Sequence, residues 1–130
     1  MIKLNRSINE VKMQEINMRN YAHLGDAVWE LFVREHLVEM CKNPKDLHKE
    51  TTARVKSSFQ AELLEFLEEE LTEEEQDIKR RARNMEVPVA RRNNQAEYRQ
   101  ATAFEALIGY WYREDKARLE YIFEKMLRKI

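Results

Sequence analysis

Residues 21–30 read YAHLGDAVWE, a stretch with helical spacing that carries a glycine in its middle. A glycine inside a helix costs about 1 kcal/mol relative to alanine, so a structural reason should compensate for Gly25. The chain's only other glycine, Gly109, also falls inside a predicted helix, within residues 103–109, AFEALIG. Because close approach of two backbones is the usual reason for such a glycine, we expect the two helices to cross at these positions.

Two carboxylates would come together at this crossing. Asp26 follows Gly25 directly, and Glu105 lies one turn before Gly109. Like-charged side chains that share a partly dry site require a cation or a proton. The alternative is that both are ordinary surface carboxylates on the outer faces of their helices, and the pattern alone leaves both possibilities open.

The rest of the sequence predicts an all-α protein of six or seven helices, folded as a single domain over residues 1–130. The chain has only two Gly and two Pro, and 36% of its residues are charged. Sheets and their turns would require more Gly and Pro. The single cysteine excludes an internal disulfide, and no window approaches the roughly 18 apolar residues of a membrane span. We therefore expect a cytoplasmic protein without a membrane segment.

Capping patterns and helical spacing place the elements along the chain. Capping boxes predict helix starts at Ser7 and Thr72, and helical spacing predicts helices over about residues 20–39 and 97–113. Residues 84–94 are predicted to form a long loop. The buried stripe of the 20–39 helix is predicted to comprise Tyr21, Leu24, Val28, Leu31 and Phe32.

Both glycine-containing segments resemble a known family. Residues 21–30 resemble the signature helix of the ribonuclease III endonuclease domain, whose core reads LGDAV, and residues 103–109 resemble its second acidic helix, typically FEALIGA. The two matches stand in the family's order. The Arg80 to Asn84 run, the Pro88 loop and residues 98–102 are similar to a short bacterial branch of the family, Mini-ribonuclease III.

The resemblance implies an all-helical homodimer that cuts both strands of double-stranded RNA with Mg²⁺ and has no separate RNA-binding domain. For the short branch it also implies maturation of the precursor of 23S (large-subunit) ribosomal RNA. By position, Asp26 corresponds to the family's catalytic carboxylate and Glu105 to its metal-ligating carboxylate. Both are therefore predicted as catalytic and metal-binding residues.

The sequence departs from ordinary ribonuclease III at three positions. Arg19, Ala22 and Thr102 stand where ordinary members carry acidic residues. The remaining site suits Mg²⁺, which is often held by one or two carboxylates plus phosphate oxygens and waters. The departures nevertheless leave a catalytically silent, dimeric double-stranded RNA-binding protein as an alternative. A third possibility is a protein-interaction module that uses the apolar faces of Trp29 or Trp111.

Segregation of charge indicates where RNA would bind. Residues 62–77 contain nine acidic and no basic residues, whereas residues 79–99 contain seven basic and two acidic residues, a balance of +5. Arginine and amide side chains suit A-form RNA, which is recognised mainly through phosphates and 2′-hydroxyls. The predicted RNA-binding residues are Arg80, Arg81, Arg83, Asn84, Arg91, Arg92, Asn93 and Asn94. The alternative is that some of these arginines pair with the acidic run upstream.

Other side chains of the signature helix have weaker assignments. Trp29 and Val33 lie off the predicted stripe, so we expect them to pack against the same helix of a second subunit. Glu30 could accept a hydrogen bond from a water on the metal, although its position favours a solvated surface role. The histidines lack zinc-type spacing and are not predicted as ligands. They are His23, His36 and His48.

Overall fold

The structure, a computed structural model, describes residues 17–130. The helices are α1 (Met18–Leu37), α2 (Pro44–Val55), α3 (Ser57–Leu67), α4 (Glu73–Arg83), α5 (Gln95–Glu114) and α6 (Lys116–Met126). Within the described residues there is no strand, so the all-α prediction is confirmed. The helix predicted from Ser7 lies outside those residues. Across residues 17–130, no helix combines the length and the apolar character that crossing a membrane requires.

Helices α1 and α5 cross at the two glycines, as the sequence predicts. A Cβ atom on Gly25 would lie 1.7 Å from the backbone oxygen of Glu105, and one on Gly109 would lie 2.0 Å from that of Tyr21. Any side chain would therefore overlap the facing backbone. Helix α5 also packs against α3 and α4, so the crossing lies at the centre of the fold.

The buried face of α1 differs from the predicted stripe. Trp29 and Val33 are 0% exposed, whereas Leu31 is 60% exposed. The ring of Trp29 packs edge-to-face on Phe104 of α5, with centroids 5.1 Å apart. The face that carries Gly25 has to turn towards α5, and Trp29 and Val33 share that face. Predicting that they contact a second subunit was therefore wrong.

Burial of the two tryptophans also removes the basis of one alternative function. Trp29 donates from Nε1 to the backbone oxygen of Arg54 at 2.9 Å, and Trp111 donates from Nε1 to Glu75 Oε2 at 2.7 Å. Both side chains are fully enclosed by the chain's own core. Neither offers an apolar face to a protein partner.

The capping box predicted at Thr72 is present and fixes the start of α4. Thr72 and Glu75 exchange the two hydrogen bonds of that motif. Arg118 of α6 donates from Nη2 to Glu75 Oε1 at 2.8 Å. Burial raises the pKa of Glu75, but the hydrogen bonds from Arg118, Thr72 and Trp111 outweigh burial and hold it below its ordinary value. This carboxylate therefore ties α4 to α5 and α6.

Only the first part of the predicted loop over residues 84–94 is irregular. Val89–Asn94 forms a 3-10 helix that leads directly into α5. Pro88, with φ −58°, precedes this turn, and its backbone oxygen accepts from the backbone N–H of Arg91 at 2.9 Å. The ring of Pro88 favours this entry because it fixes φ near the helical value. The basic residues 91 and 92 are thus held at the start of α5.

We expect Gly25→Ala to lower the free energy of unfolding by roughly 2 kcal/mol or more, because overpacking at a backbone contact forces α1 and α5 apart. Urea denaturation followed by circular dichroism measures this change. Ala53→Ser, an exposed substitution in α2, is the matched control and should cost well under about 1 kcal/mol. Equal stability of Gly25→Ala and the wild type would contradict the close crossing.

Candidate active site

The glycine crossing sets the side chains of Asp26 and Glu105 against each other. Asp26 is exposed, Glu105 is largely buried, and the two carboxyl groups are close enough to interact directly. Both line one cleft of about 370 Å³. The predicted meeting of these two carboxyl groups is confirmed, while their chemical roles remain predictions.

Burial of Glu105 makes the pair electrostatically unusual. The pKa of Glu105 is raised to about 8, chiefly by loss of hydration and further by its hydrogen bond to Asp26 and by the charge of Asp26. An ordinary surface carboxylate would not show this shift, so that alternative does not describe Glu105. The pair either shares a proton or requires a nearby cation.

A third polar side chain completes the floor of the cleft. Gln60 of α3 is 1% exposed, and its Nε2 donates to Glu105 Oε2 at 3.2 Å. This hydrogen bond opposes the rise in the pKa of Glu105, because it favours the ionised carboxylate. Sequence reasoning missed Gln60, since 45 residues separate it from Glu105 and no local motif links them.

The donor set fits a hard divalent cation. Carboxylate oxygens are ligands that Mg²⁺ prefers, and Mg²⁺ often uses one or two of them while waters and substrate phosphates supply the rest. Asp26 lies at the solvent side and Glu105 at the buried side of the same contact. Between residues 17 and 130, no group of three or more His, Cys, Asp or Glu side chains could hold a metal ion. A cation would therefore depend on these two carboxylates.

The positions that depart from ordinary ribonuclease III also line this cleft. Ala22 and Thr102 contribute to its wall, and Arg19 lies beside them. Arg19 donates from Nη2 to the backbone oxygen of Glu86 at 3.1 Å, which restrains the guanidinium. Sequence reasoning treated Arg19 only as a missing carboxylate. Its seven-residue spacing from Asp26 on one helix already implied that both share a face.

The structure divides the predicted RNA-binding residues into two groups. Arg91 lines the carboxylate cleft, and its guanidinium lies over the ring of Tyr98 at 5.7 Å from the centroid. Arg92 and Asn93 are exposed on the same 3-10 turn, and Asn94 contacts Glu97 at 3.5 Å. This first group, residues 91–94, therefore lies beside the candidate site.

The second group, residues 80–84, lies at the C-terminal end of α4. Arg80 and Arg81 both pair with Asp77, so the proposed pairing with the acidic run applies to these two arginines. The backbone oxygen of Arg83 accepts from Arg99, and Asn84 caps the helix. The side chains of Arg80 and Arg81 are therefore already paired, whereas Arg91 lines the cleft and Arg92 is exposed.

The remaining polar side chains of α1 take simple positions. Glu30 forms an ion pair with Arg34 on the exposed side of α1. His23 is exposed and lines the cleft, while His36 and His48 are not among its lining residues. Glu30 therefore has a structural partner that accounts for its position.

Comparison with known proteins gives matches over most of the chain. A family model described as the ribonuclease III domain matches residues 19–116. The Mini-ribonuclease 3 of Gloeobacter violaceus is 44% identical over 115 residues, which cover 88% of this chain and 85% of that protein. The Mini-ribonuclease 3 of Staphylococcus aureus is 35% identical over 128 residues, covering 95% of this chain and 94% of that protein.

A solved structure has a similar fold. The crystal structure of a Fusobacterium nucleatum protein matches with a TM-score of 0.79 and 28% identity. The match covers 91% of this chain and 97% of that chain. The helical arrangement around the glycine crossing thus occurs in a protein of nearly the same extent.

Proposed function

Because the chain belongs to the ribonuclease III family and is a ribonuclease III-type endoribonuclease, we propose that it cuts both strands of double-stranded RNA in a Mg²⁺-dependent reaction. One observation carries this proposal, the contact between Asp26 and the largely buried Glu105 in a cleft that also contains arginine. Carboxylates that hold a cation, beside side chains that attract phosphate, are the groups that phosphodiester hydrolysis requires.

The two carboxylates would hold Mg²⁺, and the arginines of the cleft would orient the RNA backbone. When bound there, Mg²⁺ would act as a Lewis acid that polarises phosphate oxygens and makes a water molecule more nucleophilic. Arg19, restrained by its bond to Glu86, and Arg91, over Tyr98, both line the cleft, where they would contact RNA phosphates. The protein thus provides positive charge on the wall of the cleft and negative charge at its floor.

The proposed RNA-contacting surface favours recognition of the duplex backbone over recognition of particular bases. Residues 91–94 offer guanidinium and amide groups, which suit phosphates and 2′-hydroxyls. We assign the principal contact to this turn and a lesser one to residues 80–84, where Arg80 and Arg81 are already paired with Asp77. Among cellular duplexes, the paired ends of the 23S ribosomal RNA precursor are the proposed substrate, and the cytoplasm is the proposed location.

A second apolar face of α1 supports a homodimer. Leu24, Ala27, Val28 and Leu31 recur at three- and four-residue steps on the side away from the buried Trp29. Leu31 is 60% exposed and Ala27 is exposed, while Leu24 and Val28 are partly exposed, so the described residues cover this face only in part. We assign the subunit contact to this face, in place of the one predicted through Trp29 and Val33. Two copies related by a twofold axis would present two sites to the two strands.

Cleavage of a long RNA duplex tests the proposed function directly. Wild-type protein should cut both strands when Mg²⁺ is present and neither strand when a chelator removes it. Asp26→Asn and Glu105→Gln should each lower the rate by at least about a hundredfold while circular dichroism stays unchanged, since the amide keeps the shape but loses the ligand charge. Glu35→Gln, an exposed change on α1 outside the cleft, should keep the wild-type rate.

The outcomes separate the proposed function from its alternative. Salt-sensitive binding of the duplex by wild-type protein, with no cutting at any Mg²⁺ concentration, would support the silent RNA-binding protein. Cutting by Asp26→Asn at the wild-type rate would show that the assigned site is wrong.

Replacing Arg91 and Arg92 with alanine should raise the KM for duplex RNA far more than it lowers kcat, because these contacts act before the transition state as well as in it. The slope of log affinity against log salt should become shallower by roughly one for each lost phosphate contact. Arg80→Ala with Arg81→Ala removes the same charge from paired arginines and should have the smaller effect. An unchanged salt slope in the Arg91 and Arg92 double variant would place the RNA elsewhere.

Leu31→Lys should convert a dimer to a monomer, because a charge would be buried at the centre of the proposed subunit contact. Sedimentation velocity at micromolar concentration measures the change. Val89→Lys is the matched control, since Val89 is an exposed aliphatic residue (74%) outside α1. A Leu31→Lys variant that sediments like the wild type would contradict this assignment of the interface.

A further inference from the structure

Gln60 is a buried residue held by hydrogen bonds of both its backbone and its side chain. Its side chain is 1% exposed, and its backbone N–H donates to the oxygen of Lys56 at 3.1 Å in the first turn of α3. A buried amide without a hydrogen-bond partner is costly, so the partner that it does have matters. That partner is Glu105 Oε2, at 3.2 Å.

The direction of this hydrogen bond favours the charged form of Glu105. An ionised carboxylate only accepts hydrogen bonds, so the amide nitrogen of Gln60 has to face it. Gln60 is thus the contact that favours the form of Glu105 that can bind a cation.

The small number of ligands makes the orientation of Glu105 important. Arg19, Ala22 and Thr102 occupy wall positions where further carboxylates could have compensated for a misplaced ligand. Groups that hydrogen-bond to a metal ligand orient it, and their loss typically costs ten- to a hundredfold in affinity or activity. With only two carboxylates, the site has no spare ligand.

We propose that Gln60 is a positioning residue for the cation site, which holds Oε2 of Glu105 so that Oε1 faces a divalent cation shared with Asp26. This inference rests on the proposed function, because it requires a cation at that pair. Gln60 acts through Glu105 and contacts neither RNA nor cation.

Titration with Mg²⁺ in the absence of RNA tests this role. Melting temperature against Mg²⁺ concentration gives the half-saturating concentration for the wild type and for Gln60→Met, which keeps the length of the side chain and removes the donor. We expect that concentration to rise roughly ten- to a hundredfold. Gln100→Met is the matched control on α5, since the side-chain oxygen of Gln100 has no hydrogen-bond partner among residues 17–130, and it should shift the value less than about twofold.

Cleavage kinetics provide a second measurement. At low Mg²⁺, kcat of Gln60→Met should fall while the KM for duplex RNA stays unchanged, and excess Mg²⁺ should restore kcat. A variant that is merely misfolded would not be restored by the cation. Gln60→Leu provides a second donor-free variant where circular dichroism shows that Gln60→Met is not folded.

The outcomes distinguish this inference from the proposed function. If wild-type protein shows no Mg²⁺-dependent stabilisation, the cation site itself is wrong and Gln60 has nothing to position. If wild type binds Mg²⁺ and folded Gln60→Met or Gln60→Leu binds equally tightly, the role of Gln60 is wrong and the cation site stands.

Discussion

The contact between the backbones of Gly25 and Gly109 is the constraint on which the rest of the structure depends. At this contact the backbones of α1 and α5 lie so close together that a side chain at either glycine would overlap the facing helix. Because Asp26 is adjacent to one glycine and Glu105 lies one turn from the other, the same contact creates the site. The cost of two helical glycines is thus offset by a packing arrangement that also brings two carboxylates together.

Few protein ligands are available at this site, so each one has to be well placed. Asp26 stays accessible to solvent, while burial of Glu105 and its proximity to Asp26 disfavour its charged form. Gln60 counteracts that effect, and Arg19 and Arg91 supply the positive charge that an RNA backbone requires. The proposed chemistry depends on a pair of carboxylates whose ionised state becomes favourable when a cation binds between them.

Sequence reasoning succeeded where the cost of a residue was visible locally and failed where a choice depended on distant contacts. The crossing of Gly25 with Gly109 could be predicted because each glycine is unfavourable in its own helix. Which face of α1 is buried, that of Trp29 or that of Leu31, could not be predicted, because the helix is apolar on both faces. Gln60 gave no signal, since its role arises only when α3 packs against α5.

Anomalous diffraction from crystals grown with Mn²⁺, which prefers the same oxygen ligands as Mg²⁺, would show whether Asp26 and Glu105 bind a cation together. We expect one strong peak within coordination distance of carboxylate oxygens of both Asp26 and Glu105, with the Gln60 amide still hydrogen-bonded to Glu105. We also expect the peak to disappear in Glu105→Gln crystals while the crossing of α1 and α5 stays unchanged. A manganese ion bound elsewhere, with no ion between Asp26 and Glu105, would overturn the proposed cation site.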